Sequence, residues 1–148
     1  MLRPIRLSAC CVALFVLLCA DASAGRLSTA MNQEVNRVRA AHGLAPLRQS
    51  RPLNRTSRRY SHYLMRRDWL GHVFPIRASR RYRRVGEVLA MHTGRRPRVR
   101  RTVRAWLRSP SHRALLLSRR FRHMGAGRTR GRFRGRRATI WVVQVGRR

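Results

Sequence analysis

The segment from Ala138 to Val145 constrains the fold of this chain more than any other feature. Its sequence, ATIWVVQV, is strongly apolar and rich in β-branched residues. This composition is typical of a buried strand, because a half-exposed strand alternates apolar and polar residues. The chain must therefore form a sheet in which this strand is covered by other elements.

Helices are predicted before that strand. Apolar residues at helical spacing predict a first helix, capped by Ser28 or Thr29 and ending near Ala41. Ser50 is expected to cap a second helix, with Pro52 in its first turn, that ends by Gly71. Further predictions are a strand over 86–91, helices over 98–107 and 110–118, a strand over 121–127 and a Gly/Arg hairpin loop over 129–137. Helices first and strands last predict an α+β layered domain.

Residues 1–24 have the pattern of an export signal. Arg3 and Arg6 precede an apolar run over 8–20, and Ala22-Ser23-Ala24 is a small-x-small cleavage pattern. We therefore expect cleavage before Gly25 and a single domain over 25–148. The apolar run has about 13 residues against the ~20 that span a bilayer, so an uncleaved membrane anchor is the less favoured interpretation.

The cysteines agree with this division. Cys10, Cys11 and Cys19 all lie in the export segment, so the domain over 25–148 is expected to have no disulfides and no thiolate metal site. An exported domain would be secreted, and it would act in the extracellular space or the cell envelope. We expect no transmembrane segment in the mature protein.

Charge limits what the surface can do. The chain has 36 Lys plus Arg, all arginine, against 4 Asp plus Glu, for a net charge of +32. Guanidinium binds phosphate and carboxylate bidentately, so anionic polymers and lipid headgroups are natural partners, with extracellular nucleic acid secondary. A compositional habit with no dedicated ligand is equally open. The candidate anion-binding residues are Arg130, Arg132, Arg134, Arg136 and Arg137.

Histidines supply the other chemistry. His72 follows a helix exit, and His112 lies in the first turn of a capped helix, where the helix dipole favours a neutral, metal-competent imidazole. Spacing alone cannot show that the two share a site. His62 is expected to be a hydrogen-bonded structural residue, and His42 and His92 are expected to face solvent.

Glu87 is a carboxylate in an apolar strand, where it needs a partner. Two interpretations are open. It forms a structural ion pair with one of the many arginines, or it is the acid/base or orienting partner of a histidine.

The order of motifs resembles the CAP superfamily (SCP-like domains), which includes cysteine-rich secretory proteins, antigen 5 proteins and pathogenesis-related proteins, and it is nearest to the bacterial branch. Val35-Asn36-Arg37-x-Arg39 and Gly43-Leu44-Ala45-Pro46-Leu47 resemble its first helix and turn. Gly86-Glu87-Val88 resembles its Gly-Glu-Asn. Trp106-x-x-Ser109-Pro110-Ser111-His112-Arg113 resembles its Trp-x-x-Ser-Pro-Gly-His-Arg.

The resemblance implies a three-layer α-β-α sandwich with a cleft holding two histidines and two acids. By position, His72 and His112 would bind zinc or another divalent metal, Glu87 would be the acid beside them, and Ser109 and Ser111 would line the cleft. Two departures weaken such a site. Val88 replaces the asparagine, which removes a polar group from the cleft, and 98–104 contains no carboxylate where the second acid is often found.

We therefore expect a secreted binding module with a weak metal cleft, and we favour this interpretation over an enzyme. An arginine-rich polyanion binder that uses the fold as a scaffold is the first alternative. Metal-assisted hydrolysis, with Glu87 as its general base, is the second.

Overall fold

The part of the chain that the structure describes forms one sheet of four strands, and its last strand is near the end of the sequence. A computed structural model describes residues 9–94, 96 and 98–148, with side chains from Gly25 onward. The spatial order of the strands is β1-β3-β4-β2, in which β1 is parallel to β3 and the other pairs are antiparallel. The strands are β1 (Arg48–Gln49), β2 (Arg84–Thr93), β3 (His123–Phe133) and β4 (Arg136–Arg147).

The buried strand predicted from Ala138 to Val145 is confirmed as the middle of β4. It pairs with β3 on one side and β2 on the other, and Ile140, Trp141 and Val142 are fully buried. β4 is therefore covered at both edges by strands and on both faces by helices.

The predicted hairpin loop over 129–137 is wrong. β3 and β4 pair without interruption to Phe133 and Arg136, which leaves a two-residue turn of Arg134 and Gly135 with φ of 48° and 74°. Two successive residues with positive φ form the tight turn that suits the twist of a hairpin. The glycines and arginines that suggested a loop stand in strands, because pairing with the neighbouring strand supplies the backbone hydrogen bonds.

Four helices of the described residues cover the two faces of the sheet, which makes the fold α+β with three layers, as predicted. Of these, only α2 packs on one face, against Ile140, Val142 and Phe133. The others cover the opposite face, which carries Val88, Trp141 and Val143. The helices are α1 (Ala9–Ala41), α2 (Arg51–Arg66), α3 (Val99–Arg108) and α4 (Pro110–Leu116).

The helix ends agree only in part with the predictions. Ser50 caps α2 as expected, accepting a hydrogen bond from the amide of Leu53 at 3.2 Å. α2 ends five residues before Gly71. Ser28 and Thr29 do not cap α1, which begins earlier. The Thr29 hydroxyl instead donates back to the Gly25 carbonyl at 3.0 Å.

The described residues include only part of the export segment. Residues 1–8 lie outside the described residues, and 9–24 belong to α1 with no side chain described, the three cysteines included. The predicted cleavage and the absence of disulfides therefore stay predictions. Within the described part of the chain, no helix has both the length and the hydropathy needed to cross a bilayer.

Candidate functional site

Glu87 lies in β2, the edge strand opposite β1, and its side chain faces the α2 layer. Only 1% of that side chain is exposed. Its Oε1 lies 3.0 Å from Nδ1 of His72, and its Oε2 accepts a hydrogen bond from Nε2 of Gln144 at 2.9 Å. These contacts match the interpretation of Glu87 as the orienting partner of a histidine.

His72 lies in the loop after α2, above this carboxylate. Its side chain is 34% exposed, so one side of the ring meets Glu87 and the other meets solvent. A carboxylate accepts hydrogen bonds, so the His72 Nδ1–H donates and the lone pair of the neutral ring lies on Nε2. This arrangement leaves Nε2 available to an external ligand.

His112 lies in α4, which contacts β2. Burial lowers the pKa of His112, and the nearby charge of His72 lowers it further. From the sequence, the helix N-terminus was expected to keep the imidazole of His112 neutral. In the structure, partial burial is the main cause of its lowered pKa. The fold therefore brings His72 and His112 within electrostatic reach of each other.

Gln144 and Tyr60 belong to this site, and the sequence analysis missed both. Gln144 is fully buried and accepts a hydrogen bond from the Thr56 hydroxyl at 2.6 Å, so it connects Glu87 to α2. Tyr60 donates to the carbonyl of Gly71 at 2.7 Å, and burial together with the charge of Glu87 raises its pKa to about 12. The sequence offered one signal for Gln144: it is an amide side chain within a strongly apolar strand, where a buried polar group needs a hydrogen-bonding partner.

The two serines predicted to line the cleft both precede His112 in sequence. Ser109 is half-buried and Ser111 is exposed, and their hydroxyl oxygens lie 3.4 Å apart. Ser109 also ends α3 and precedes α4 with an extended backbone, but its side chain makes no capping hydrogen bond. The two hydroxyls thus contact each other, and their place in a cleft stays a prediction.

The position of Val88 was misjudged from the sequence. Val88 is fully buried among the residues that pack against α1 and α3, on the face of the sheet opposite Glu87. Successive side chains of a strand point to opposite faces, so two neighbours cannot both face the α2 layer. The valine therefore removes no polar group from the side of the sheet that holds Glu87.

The donor set is small for a metal ion. Within the described residues there is no group of three or more His, Cys, Asp or Glu side chains that could hold one. Both oxygens of Glu87 are already hydrogen-bonded, so the available donors are the imidazoles of His72 and His112. Two neutral imidazoles fit a weak divalent site whose other positions are filled by water.

Three other histidines can be compared with their predictions. His62 is exposed on α2, which does not agree with its prediction as a hydrogen-bonded structural residue. His92 is half-buried and its Nε2 lies 2.7 Å from the Thr102 hydroxyl, so the expectation that it faces solvent is wrong. His42 is exposed as expected.

The candidate anion-binding arginines all lie at the β3–β4 turn and are exposed. Arg132 and Arg137 are directly paired across the two strands, and Arg134 lies over the ring of Phe133 at 5.5 Å. They form a cationic tip on the hairpin.

Comparison with known structures supports the fold. An outer surface protein of Borrelia burgdorferi is 22% identical, with a TM-score of 0.67 over 81% of this chain and 91% of that one. An extracellular SCP-domain protein of Bacillus anthracis is 17% identical, with a TM-score of 0.66 over 84% of this chain and 41% of that one. A venom allergen-like protein of Schistosoma mansoni is 11% identical, with a TM-score of 0.62 over 81% and 87%.

The sequence supports the same assignment. No curated protein sequence matches this chain. The model of the CAP family, described as the cysteine-rich secretory protein family, matches residues 33–145, which include His72, Glu87 and His112. The chain belongs to the CAP family of cysteine-rich secretory proteins.

Proposed function

We propose that this chain is an extracellular binding module whose cleft takes a divalent cation on His72 and His112. The observation that carries the proposal is the hydrogen bond between Nδ1 of His72 and the buried carboxylate of Glu87. Imidazole ligands in metal sites commonly donate their second N–H to a carboxylate in this way, which fixes the ring and raises its basicity.

Three further features support a binding role. Gln144 holds the second oxygen of Glu87, so the carboxylate cannot rotate away from His72. The lowered pKa of His112 keeps its imidazole neutral near neutral pH, which leaves its lone pair for a ligand. A bound divalent ion would supply a Lewis-acid centre for an anionic or carbonyl group.

Hydrolysis is less well supported. A general base must reach the water that it deprotonates. The side chain of Glu87 is almost fully buried, and both of its oxygens are hydrogen-bonded to His72 and Gln144. Glu87 is therefore placed to orient a histidine.

An extracellular or cell-envelope location completes the proposal. The export pattern of residues 1–24 supports it. Two of the similar structures are named as an outer surface protein and an extracellular protein.

The test is a calorimetric titration of the purified chain with zinc at moderate salt. We expect binding on the order of micromolar at pH 7.5, lost in His112→Ala and weakened at pH 5.5, where protons compete for the imidazoles. The matched control is His62→Ala, which removes an exposed histidine outside the cleft. Zinc binding that is absent from the parent chain, or unchanged in His112→Ala, would contradict the proposal.

The cationic hairpin tip supports a second candidate, the binding of an anionic polymer or lipid headgroup, with extracellular nucleic acid secondary. The supporting observation is the exposure of all five arginines at the tip. Binding by such a surface falls steeply with added salt and survives the loss of His112. The same two variants therefore separate the two candidates when polyanion binding is measured beside zinc.

A further inference from the structure

An exposed apolar loop follows α2. Within the part of the chain whose side chains the structure describes, the large apolar residues that are exposed are Trp69 (39%), Leu70 (37%) and Phe74 (81%). All three lie within residues 69–74, which we call the apolar loop. Single apolar residues scattered over a surface need no explanation, but a cluster of them indicates a surface that contacts a partner.

The apolar loop is held by the rest of the domain. The amide of Trp69 donates to the carbonyl of Leu64 in α2 at 3.2 Å, and the hydroxyl of Tyr60 donates to the carbonyl of Gly71 at 2.7 Å. Val73 packs against the apolar cluster beneath α2, so the phenyl ring that follows it in sequence is directed outward. The exposed side chains are therefore presented by a backbone that is fixed on α2.

The cationic hairpin tip lies beside the apolar loop. Asp68, the residue before the loop, accepts a hydrogen bond from the amide of Arg134 in the β3–β4 turn. Met65, in the last turn of α2, lies close to Gly131 of β3, where an added Cβ would be 2.9 Å from its Cγ. The apolar loop and the hairpin tip are therefore at the same end of the molecule.

This end of the molecule is positively charged however the carboxylates are assigned. Arg66 and Arg67 are exposed directly before the loop, and the hairpin tip adds five arginines. Two of the four carboxylates in the sequence lie in other contacts, one beside Arg37 and one in the cleft. Even if the other two, Asp21 and Asp68, were both counted against this surface, they would offset only two of its seven arginines.

The combination of apolar and cationic groups separates the possible partners. A soluble polyanion would satisfy the arginines and leave the apolar side chains in water. A second copy of this chain could cover the apolar side chains, but two surfaces of net positive charge repel each other. An anionic lipid surface supplies headgroup phosphates for the guanidinium groups and, beneath them, acyl chains for aromatic and aliphatic side chains. One partner then satisfies both kinds of group.

We propose that the apolar loop and the hairpin tip dock this chain on an anionic lipid surface, with Trp69, Leu70 and Phe74 inserted between the headgroups and the acyl chains. The attraction of the tip for anions rests on the second function proposed above, and insertion of the apolar loop adds an anchor that a soluble polyanion would not use. The affinity of such a surface depends on the apolar area that it inserts and on its attraction to anionic lipids. Metal binding by the cleft is not required.

Trp69 reports its own insertion. The other tryptophans of the sequence, Trp106 and Trp141, are buried, so vesicles should change the fluorescence of Trp69 above all. We expect mixed vesicles of phosphatidylglycerol and phosphatidylcholine to shift its emission to the blue, and brominated acyl chains to quench it. Vesicles of phosphatidylcholine alone should leave the emission nearly unchanged, and added salt should weaken binding to the anionic vesicles.

Serine variants measure the contribution of the loop to vesicle binding. Phe74→Ser removes the most exposed anchor, and it should weaken binding to the anionic vesicles about tenfold. Leu70→Ser should weaken binding about fivefold. Its matched control is Leu44→Ser, which changes a half-buried leucine between α1 and β1 and should bind within about twofold of the parent chain. All variants keep the same N-terminal segment, so a difference between them reports the loop.

A soluble polyanion separates membrane docking from the anion binding on which it rests. Phe74→Ser should bind inorganic polyphosphate like the parent chain, whereas Arg136→Gln/Arg137→Gln should weaken the binding of both polyphosphate and anionic vesicles about tenfold. His112→Ala should bind the vesicles like the parent chain, which separates docking from the cleft.

Three results would overturn the docking proposal: an unchanged Trp69 emission with anionic vesicles, vesicle binding by Phe74→Ser at the parent affinity, and equal binding to neutral vesicles. If polyphosphate still binds in any of these cases, the hairpin tip binds anions without the loop. Vesicle insertion without polyphosphate binding would have the opposite meaning, since it would support docking and contradict the binding of a soluble polymer.

Discussion

Arg39 illustrates how a single arginine can be buried in a chain with almost no carboxylates. It is 1% exposed, and it donates to the carbonyls of Ala45 at 2.9 Å, Leu116 at 2.7 Å and Ser118 at 3.0 Å. Burial lowers its pKa, and the charge of Arg122 adds to this effect. Carbonyls at the end of α4 thus replace the missing acid, because the C-terminus of a helix carries partial negative charge.

We expect Arg39→Met to destabilise the protein by about 3 kcal/mol, because three carbonyls lose a charged donor in a buried place. The measurement is urea unfolding followed by circular dichroism. The control on the same helix is Arg37→Met. The Arg37 side chain is 60% exposed, and Arg100 remains 4.0 Å from its partner Glu34, so the loss of Arg37 should matter far less. Equal losses in the two variants would refute this role for Arg39.

At the scale of elements, the contact between α2 and β3 depends on glycine. A Cβ at Gly125 would lie 2.2 Å from the backbone nitrogen of Asn54, and one at Gly127 would meet the backbone of Arg58. Backbone cannot yield as a flexible side chain can. This close contact fixes the distance between α2 and the sheet. It therefore helps to position Thr56, which donates to Gln144, and Gln144 in turn donates to Glu87.

Gly127→Ala should therefore lower the free energy of unfolding by about 3 kcal/mol, at the upper end of overpacking costs. Gly131→Ala is the matched control on the same strand. Its added Cβ would lie 2.9 Å from Cγ of Met65, a flexible side chain that can move away. Urea unfolding of both variants measures the difference. A smaller loss for Gly127→Ala than for Gly131→Ala would show that α2 can shift freely.

At the scale of the whole molecule, the two edges of one sheet carry different chemistry. The β2 edge places two histidines and a buried carboxylate together, and the β3 edge lies between arginines. β4 lies between these edges and pairs with β3 on one side and β2 on the other. Protonation affects the stability of the whole molecule, because burial lowers the pKa of four histidines in different elements: His62, His92, His112 and His123.

The stability of the protein should therefore fall on mild acidification. Each of these histidines has a pKa in the folded protein below its ordinary value of 6.5, so the unfolded chain binds more protons than the folded one near and below that pH. Stability is then present above about pH 6.5 and is lost as pH falls through the lowered folded values. Melting temperatures measured between pH 7.5 and 5 test this expectation. The melting temperature of His92→Gln should fall less over this range than that of the parent chain. A melting temperature that does not change over this range would contradict the expectation.

Local chemistry made part of the fold predictable. Ser50 caps α2 through its own hydroxyl, which depends only on neighbouring residues. The segment from Ala138 to Val145 is so apolar that it must be buried in any fold. Both could therefore be recognised from short windows of sequence. The hairpin over 129–137 could not, because its glycines and arginines become strand only when β4 supplies their hydrogen bonds. His62 was misplaced for a related reason, since the buried face of α2 is chosen by what it packs against.

The sequence by itself determined the Ser50 cap of α2, the buried strand, the excess of arginine and the identity of His72, Glu87 and His112 as the residues to examine. Only the tertiary structure decided that Gln144 holds Glu87, that Val88 faces away from it, and that β3 keeps an open edge between arginines. The physical reason is separation along the chain. Glu87 and Gln144 are 57 residues apart, and only strand register brings such residues into contact.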